Sequence, residues 1–443
     1  MMKLVELAQF SLFCESSLSL IRPPSVPTMR YTYLLSLLAL AALITPASAK
    51  WSRLPSVDKK PVTASILSGT TIDSSKGVTP ANALILGDPI KPIALTTGKS
   101  EAVLKFVKPA LVRSISFVSE GIEGKVALAI SGDGKEWHPL GQDSFTPADR
   151  LVKIEAGAAQ GRYLRLAFDL VRGGTIRGFQ AVGGDTDANY SVTQSGDNSG
   201  TPVNFAAGIG GGRLLYLSPE QFGNRDEAIR NNRLEFPESD EKFRTAVYDL
   251  GQVRALNEFG SVHSPRPVRF AVYAFDSLPE KEDWRGRLAF DPTVFDTTEP
   301  VARGEDTTGS GHLTAKPQKV VKARYLALRW EPDFNPPAFS AYSVSITGHA
   351  NITYTGGNGV VVNTTENADG TLSSTVTVDG TTSITITVDA DGNVTVTGTE
   401  VTGGADTEVT VDNDSDSTDV GPPSVFTPNP TPSAPTPDTN PSA

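Results

Sequence analysis

VALAISGDGKEWHPLG (residues 126–141), GRYLRLAFD (161–169) and GGTIRGFQAVG (173–183) are the pieces of this chain whose reading decides the fold. In the first, Val126, Leu128 and Ile130 alternate with Ala127, Ala129 and Ser131, the period of a strand with one buried face. Asp133-Gly134 then supplies a tight turn, since glycine tolerates the positive φ such turns need. Trp137 and Leu140 return toward a core, and Leu164, Leu166 and Phe168 alternate again, opposite Tyr163, Arg165 and Ala167. Upstream, Ala102 to Phe106 and Ser114 to Val118 read as two further strands around a Lys108-Pro109 turn. Several short strands at even spacing, uninterrupted by a long amphipathic helix, predict an antiparallel sandwich.

The order strand, S-x-D-G-x-x-W (Ser131, Asp133, Gly134, Trp137), loop, R-Y-x-R-L (Arg162, Tyr163, Arg165, Leu166), then a closing G-x-I strand (Gly174, Ile176) resembles the second half of a discoidin, or coagulation factor 5/8 type C-like, domain. That resemblance implies a galactose-binding-like β-sandwich that binds through loops at its ends. It names an architecture and not a ligand.

A second, more divergent copy follows. The run AVYDLG (246–251) sits about 144 residues after Val103 and its neighbours, and VRFAVY (268–273) keeps that offset from the Leu128 strand. ARYLALRW (323–330) echoes GRYLRLAF at an offset of about 162, so roughly 18 residues are inserted between Asp276 and Leu313. Residues 342–348 match the closing strand. The S-x-D-G-x-x-W turn is replaced by Phe275-Asp276-Ser277-Leu278-Pro279. Insertions between sandwich strands are expected on the end loops.

The expected fold class is therefore all-β: two antiparallel jelly-roll-like β-sandwiches, a Thr-rich β-hairpin or ribbon region, and a disordered tail. The expected divisions are an upstream extension plus signal peptide (1–49), sandwich 1 (50–185), a Gly/Ser/Asn-rich linker (186–212), sandwich 2 (213–350), a Thr/Gly/Asp-rich β repeat (351–412) and an acidic, then Pro-rich tail (413–443). Ser218-Pro219 with Gln221 predicts a short helix from Pro219 to about Asn231.

Charge and cysteine content narrow the partners. The net charge is −11, yet no Lys or Arg occurs from Asn351 onward while 13 Asp or Glu do, so the acidity belongs to the tail. No domain is basic enough for a nucleic-acid face. The single cysteine, Cys14, excludes a disulfide framework. Met29-Arg30, the apolar run from Leu34 to Ile44 and Ala47-Ser48-Ala49 predict a secretory signal with translation starting at Met29; the run is too short to span a bilayer. The expected location is outside the cytoplasm: periplasmic, cell-surface or extracellular. The tail, residues 413–443, holds no apolar run, so no membrane anchor is expected within it.

Catalytic motifs are missing. His138, His263, His312 and His349 form no H-E-x-x-H, and neither a G-x-S-x-G elbow nor a Walker loop occurs. The candidates are therefore for binding. Trp284, within EKEDWRGR of the insertion, is either a loop anchor or a ligand platform, with Asp283 and Arg285 as polar partners. His263, at a strand end, is the next candidate. The resemblance implies a structural calcium in some members. Asp389, Asp391 and Glu400 mimic an EF-hand loop in part, although Val394 stands where its glycine would be. The sequence singles out no certain cofactor, and a structural calcium is the one candidate. The leading expectation is non-catalytic binding of a polysaccharide or glycan; the alternatives are a structural or adhesion protein that contacts another surface protein, and a hydrolase whose two acids the sequence does not single out.

Overall fold

The computed structural model describes residues 51–55, 64–183, 189–194, 200–207, 209–219, 232–282, 286, 288–333, 338–356, 359–367, 369–389 and 393–398. The signal region, the acidic tail and the expected helix after Pro219 lie outside them. Strands dominate. A two-residue strand β1 (Ser52–Arg53) precedes β2 (Thr71–Lys76), β3 (Val78–Thr79), β4 (Ile93–Leu95), β5 (Gly98–Glu120), β6 (Glu123–Ser131), β7 (His138–Phe145), β8 (Leu151–Arg172) and β9 (Gly174–Gly183). β2 to β9 form one eight-stranded sheet in the order β3-β4-β9-β5-β8-β6-β7, with β2 added to β5.

The two expected strands on either side of Lys108-Pro109 are one long strand, β5. Its pairing with β8 skips from Lys105 to Ala110 and again from Val112 to Ser114. Proline has no amide to give the ladder, and such irregularities bend a strand. β5 thereby serves both halves of the sandwich: the first half pairs β2, the second pairs β9, and both pair β8. The alternation read from sequence holds, with Leu164, Leu166 and Phe168 buried. Phe117 meets Phe145 and Phe168 edge-on at centroid distances of 5.9 and 6.0 Å.

Next come β10 (Asn189–Thr193), β11 (Thr201–Asn204), β12 (Arg213–Ser218), β13 (Leu234–Phe236), β14 (Arg244–Leu256), β15 (Glu258–His263), β16 (Val268–Phe275), β17 (Glu280–Glu282), β18 (Leu288–Phe290), β19 (Ala302–Asp306), β20 (His312–Ala315), β21 (Val321–Pro332) and β22 (Phe339–Thr355). One sheet of the second sandwich runs β1-β12-β14-β21-β16-β19; the other is built on β22, which pairs β15, β11 and β13, with β20 beyond β15. Between them lies an aromatic core in which Trp330 contacts Phe270, Phe236 and Phe339. The Trp330 indole donates to Ser261 Oγ at 3.1 Å, satisfying a donor that burial would otherwise orphan.

Three expectations change. The linker is not free chain: β10 and β11 lie within it and pair β22, and Val203, Phe205 and Ala206 are buried. Its polar composition hid a few apolar residues and an open strand edge that needed hydrogen-bond partners. The Thr-rich region does not begin a new unit at 351. β22 runs through that point and is continued by β23 (Val360–Glu366), β24 (Leu372–Val378), β25 (Thr381–Val388) and β26 (Val394–Gly398) as an antiparallel meander. The insertion does not simply extend an end loop. Its β17-β18 hairpin and the single turn Val294–Thr297 bring Phe290 and Phe295 onto the outer face of the six-stranded sheet, beside Tyr216 and Tyr273. Trp51 stacks on Phe290 at 4.7 Å.

Candidate functional site

Of the residues singled out in the sequence, the structure describes His263 and Asp389. Asp283, Trp284 and Arg285 lie outside the described residues, in the sequence between β17 and β18. His263 is the correction: it is fully buried, so it meets no solvent-borne ligand. Its Nδ1 lies 2.8 Å from the Ser264 carbonyl oxygen, its ring stacks on Phe339, and Nε2 faces Asp306 Oδ2 at 3.7 Å. Burial pulls its pKa down to about 4, against the opposing pull of the Ser264 carbonyl and Asp306. Burial also raises the Asp306 carboxyl, but the Gly311 and Ser310 amides and the Thr308 hydroxyl outweigh it and hold it below the usual carboxylate range. The strand-end position suggested exposure; the β15-β20 pairing and the Gly311 turn cover it.

Of the calcium candidates, Asp389 is described. Both its oxygens are taken by Asn393, Oδ1 by the backbone amide and Oδ2 by the side-chain amide, each at 2.8 Å, as in a hairpin turn. Asp391 and Glu400 lie outside the described residues. Among the described residues, no three His, Cys, Asp or Glu converge to hold a metal.

Trp137 sits where the resemblance places it, half-buried, with the Arg165 guanidinium 4.5 Å from its ring centre. The turn before it is locked by its own side chains. The Asp133 and Gly134 amides donate to Ser131 Oγ, and the Lys135 and Glu136 amides donate to Asp133 Oδ1. Those last two amides are the main reason the Asp133 carboxyl titrates below its ordinary value.

The sequence analysis missed a cavity of about 280 Å³ between the two sandwiches. Its position follows from a kink in the closing strand of sandwich 1. Gly178 has φ +57, and the β5-β9 ladder skips there, with Val118 opposite Arg177 and Ser116 opposite Gln180. Such a bulge re-aims side chains, and Phe179 and Gln180 line the cavity. Sandwich 2 reaches this bend: a Cβ on Gly178 would lie at ordinary contact distance, 3.5 Å, from Ser343 Cβ. Leu67, Leu84 and Pro89 add an apolar wall from sandwich 1. Opposite stand Ser343, Ser345, Thr347 and His349 of β22, with Asn257 between β14 and β15.

The polar groups here are almost all uncharged, and some are available. Asn257 Oδ1 is buried and has no partner among the described residues, while its Nδ2 lies 3.3 Å from His349 Nδ1. Two acids reach the lining: Glu258, paired with Lys316 at 2.9 Å, and Asp88, exposed on the sandwich 1 side, whose Oδ1 accepts from the Ile90 amide at 2.9 Å. A buried unpaired acceptor costs free energy unless something donates to it. The volume falls near the lower end of the range for small-molecule sites, about 300–1,000 Å³, and such sites favour domain interfaces.

Beside the cavity, a polar cluster ties the sandwiches together. Arg177 donates through Nε to Glu120 Oε2 at 2.9 Å and through Nη1 to the Ile90 carbonyl, and its Nη2 lies 3.3 Å from His312 Nε2. Glu120 Oε1 is also 3.6 Å from both Arg150 Nη2 and His312 Nδ1. Glu120, Arg150 and Arg177 belong to sandwich 1, and His312 to sandwich 2.

No protein-family model and no curated protein matches the sequence. Solved structures do resemble it. The C-terminal domain of a chitobiase from Bacteroides fragilis is 18% identical, with 28% of this chain and 97% of that one covered at a TM-score of 0.25. A CBM32 module of Clostridium perfringens, solved with GalNAc-β-1,3-galactose, is 9% identical over 28% of this chain and 99% of that one, TM-score 0.24. A fucolectin from striped bass serum is 15% identical over 65% and 99%, TM-score 0.23. At these identities and scores the likenesses carry no argument about this chain, and the all-β architecture stands on its own strand pairing.

Proposed function

We propose that this is an exported, non-catalytic glycan-binding protein, built from two discoidin-like modules, that takes a neutral saccharide in the cavity between them. The observation that carries this is the lining: an apolar wall with one half-buried aromatic, Phe179, faces hydroxyls and amides, and Asn257 Oδ1 among them is a buried acceptor with no partner among the described residues. A saccharide offers apolar ring faces to the first and hydroxyl donors to the second. An anionic ligand would meet the Asp88 and Glu258 carboxylates and no lysine or arginine of the lining, which is costly in a partly enclosed site.

The test is binding of the purified protein to neutral mono- and oligosaccharides, with calcium and with chelator. A saturable hit that weakens about ten-fold in Gln180→Ala and Asn257→Ala, with folding intact, is expected; ten-fold corresponds to about 1.4 kcal/mol, in the range of one lost buried hydrogen bond. A hit abolished by Trp284→Ala and untouched by the two cavity variants would move the site to the insertion hairpin. Silence across the whole panel would defeat the glycan reading.

A further inference from the structure

We infer that the outer face of the meander is a second contact surface, and that it takes an extended neutral polysaccharide; this rests on the glycan-binding reading above. The face is ordered by strand register. Ser191 pairs Thr353, Thr353 pairs Asn363, Asn363 pairs Thr375, Thr375 pairs Thr385, and Thr385 pairs Thr397, so one rank of hydroxyls and an amide crosses six strands. A second rank runs beside it through Thr365, Ser373, Thr387 and Thr395. None of these side chains is buried, whereas Ile352, Val362, Val376 and Ile386 on the opposite face are. Neighbours within the rank are bonded, with Thr353 Oγ1 donating to Asn363 Oδ1 at 2.8 Å.

Alternation alone explains polar residues outside and apolar residues inside. It does not explain why neither rank contains an ionisable side chain. Exposed sheets are usually kept soluble and unpaired by charges, especially lysine. From Asn351 onward the chain has no lysine or arginine at all. A face given up to hydroxyls is suited to a partner that is itself neutral and both donates and accepts hydrogen bonds. Glu366, Asp369, Asp379 and Asp389, at the strand ends and turns of the meander, repel anionic polymers such as nucleic acid or acidic glycans. Protein partners are served by aromatic and apolar anchors, which the ranks lack.

The grid also sets the size of the partner. Strands about 4.8 Å apart make a six-strand rank about 24 Å long. Single hydroxyl contacts with water-exposed partners are weak, so useful affinity needs many at once, which a short sugar cannot supply and a polymer can.

The test uses the full chain and suspensions of cellulose and of chitin, both neutral and insoluble, alongside the soluble saccharide that the cavity binds. Two double variants are compared, Thr375→Lys with Thr385→Lys, and Thr375→Val with Thr385→Val; the second keeps shape and strand preference while removing the hydroxyls. Expected is a loss of adsorption of about ten-fold or more in both, with soluble-saccharide affinity within about two-fold of wild type. Adsorption unchanged in the two variants, or a wild-type protein that binds the soluble saccharide and ignores both polymers, overturns the inference and leaves the cavity reading standing. A wild-type protein that binds neither form fails at the cavity reading. Self-association in sedimentation that the lysine variant abolishes would assign the face to a second copy and overturn it as well.

Discussion

The two sandwiches have the same ladders and opposite exteriors. Val103 lies across from Arg165 in the first and Val247 across from Ala327 in the second; Leu128 faces Leu166, and Val272 faces Leu328. The offsets of about 144 and 162 residues seen in the sequence thus recur, pair by pair, in the hydrogen bonding. The outer face of the first sandwich stays open, with Trp137 beneath Arg165 and Gly134 over the Tyr163 ring. The second is roofed by its own insertion, with Trp51, Phe290 and Phe295 covering Tyr216 and Tyr273. A shared ladder therefore does not specify a shared working surface. The second sandwich has sealed one sheet with aromatics and turned the other, through β22, toward the first.

The largest effect should come from breaking the charged contact that only the first sandwich carries. Glu120 has Ser264 as its counterpart 144 residues on, so the second sandwich carries no carboxylate at that position. Glu120→Gln leaves Arg150 and Arg177, whose side chains are 13% and 9% exposed, without a carboxylate. Removing one member of a buried ion group typically costs about 3–5 kcal/mol, because the survivors stay buried and uncompensated. Urea denaturation should show a loss of that order, and a loss under about 1 kcal/mol would mean that water already solvates both guanidiniums.

Next is a pH dependence belonging to the second sandwich. His263 has the small Ser119 as its counterpart in the first. Its pKa of about 4 in the folded protein lies below the 6.5 of an unfolded chain. The unfolded state therefore takes up the proton first, and stability present above pH 6.5 is lost as pH falls toward 4, by roughly 3 kcal/mol. The Asp306 carboxyl is held below 3.8, so its contribution is intact above that value and goes only at still lower pH. Denaturation midpoints from pH 7 to 4 should decline steadily in the wild type. His263→Gln should flatten the decline; an unchanged slope would place its origin elsewhere.

A smaller effect tests how alike the two cores are. Trp330 occupies the position of Phe168, one offset of 162 away. Trp330→Phe installs the residue the first sandwich uses, losing the bond to Ser261 and part of a ring that is fully buried. A cost of roughly 1–2 kcal/mol is expected, against about 3–5 for Trp330→Ala. Equal costs for the two would show that the second core cannot close around the smaller ring.

Strand identity and partnership were legible in the sequence because alternation and repeat offsets are local or pairwise signals. What failed did so for physical reasons. The 186–212 stretch reads as linker from its composition, yet Val203 and Phe205 were the signal that part of it docks. His263 looked like a loop residue because nothing nearby in sequence announces the Gly311 turn that covers it. The cavity was out of reach, being walled by segments as far apart as Leu67, Gln180 and Ser343. Only the bulge-forming Gly178 marked it beforehand, and a lone glycine between Arg177 and Phe179 has many explanations.

The smallest expected effect separates two ways in which the first sandwich could hold the meander, a contact the second makes through the continuous strand β22. Lys108 Nζ lies 3.3 Å from Asp379 Oδ2, on side chains 26% and 74% exposed. Beneath it the contact is apolar: a Cβ on Gly69 would touch Val107 at 2.6 Å and Val362 and Val376 at 3.4 Å. An ion pair this exposed is worth about 0–1 kcal/mol and fades with salt, whereas apolar contact does not. Asp379→Asn, which keeps a residue suited to the left-handed backbone there (φ +49), should thus shift the denaturation midpoint barely, and not at all in high salt, while Val376→Ala costs a few kcal/mol in either condition. If Asp379→Asn alone released the meander, as read by faster amide exchange in β23 and β24, the attachment would be electrostatic and the apolar seam beneath it incidental.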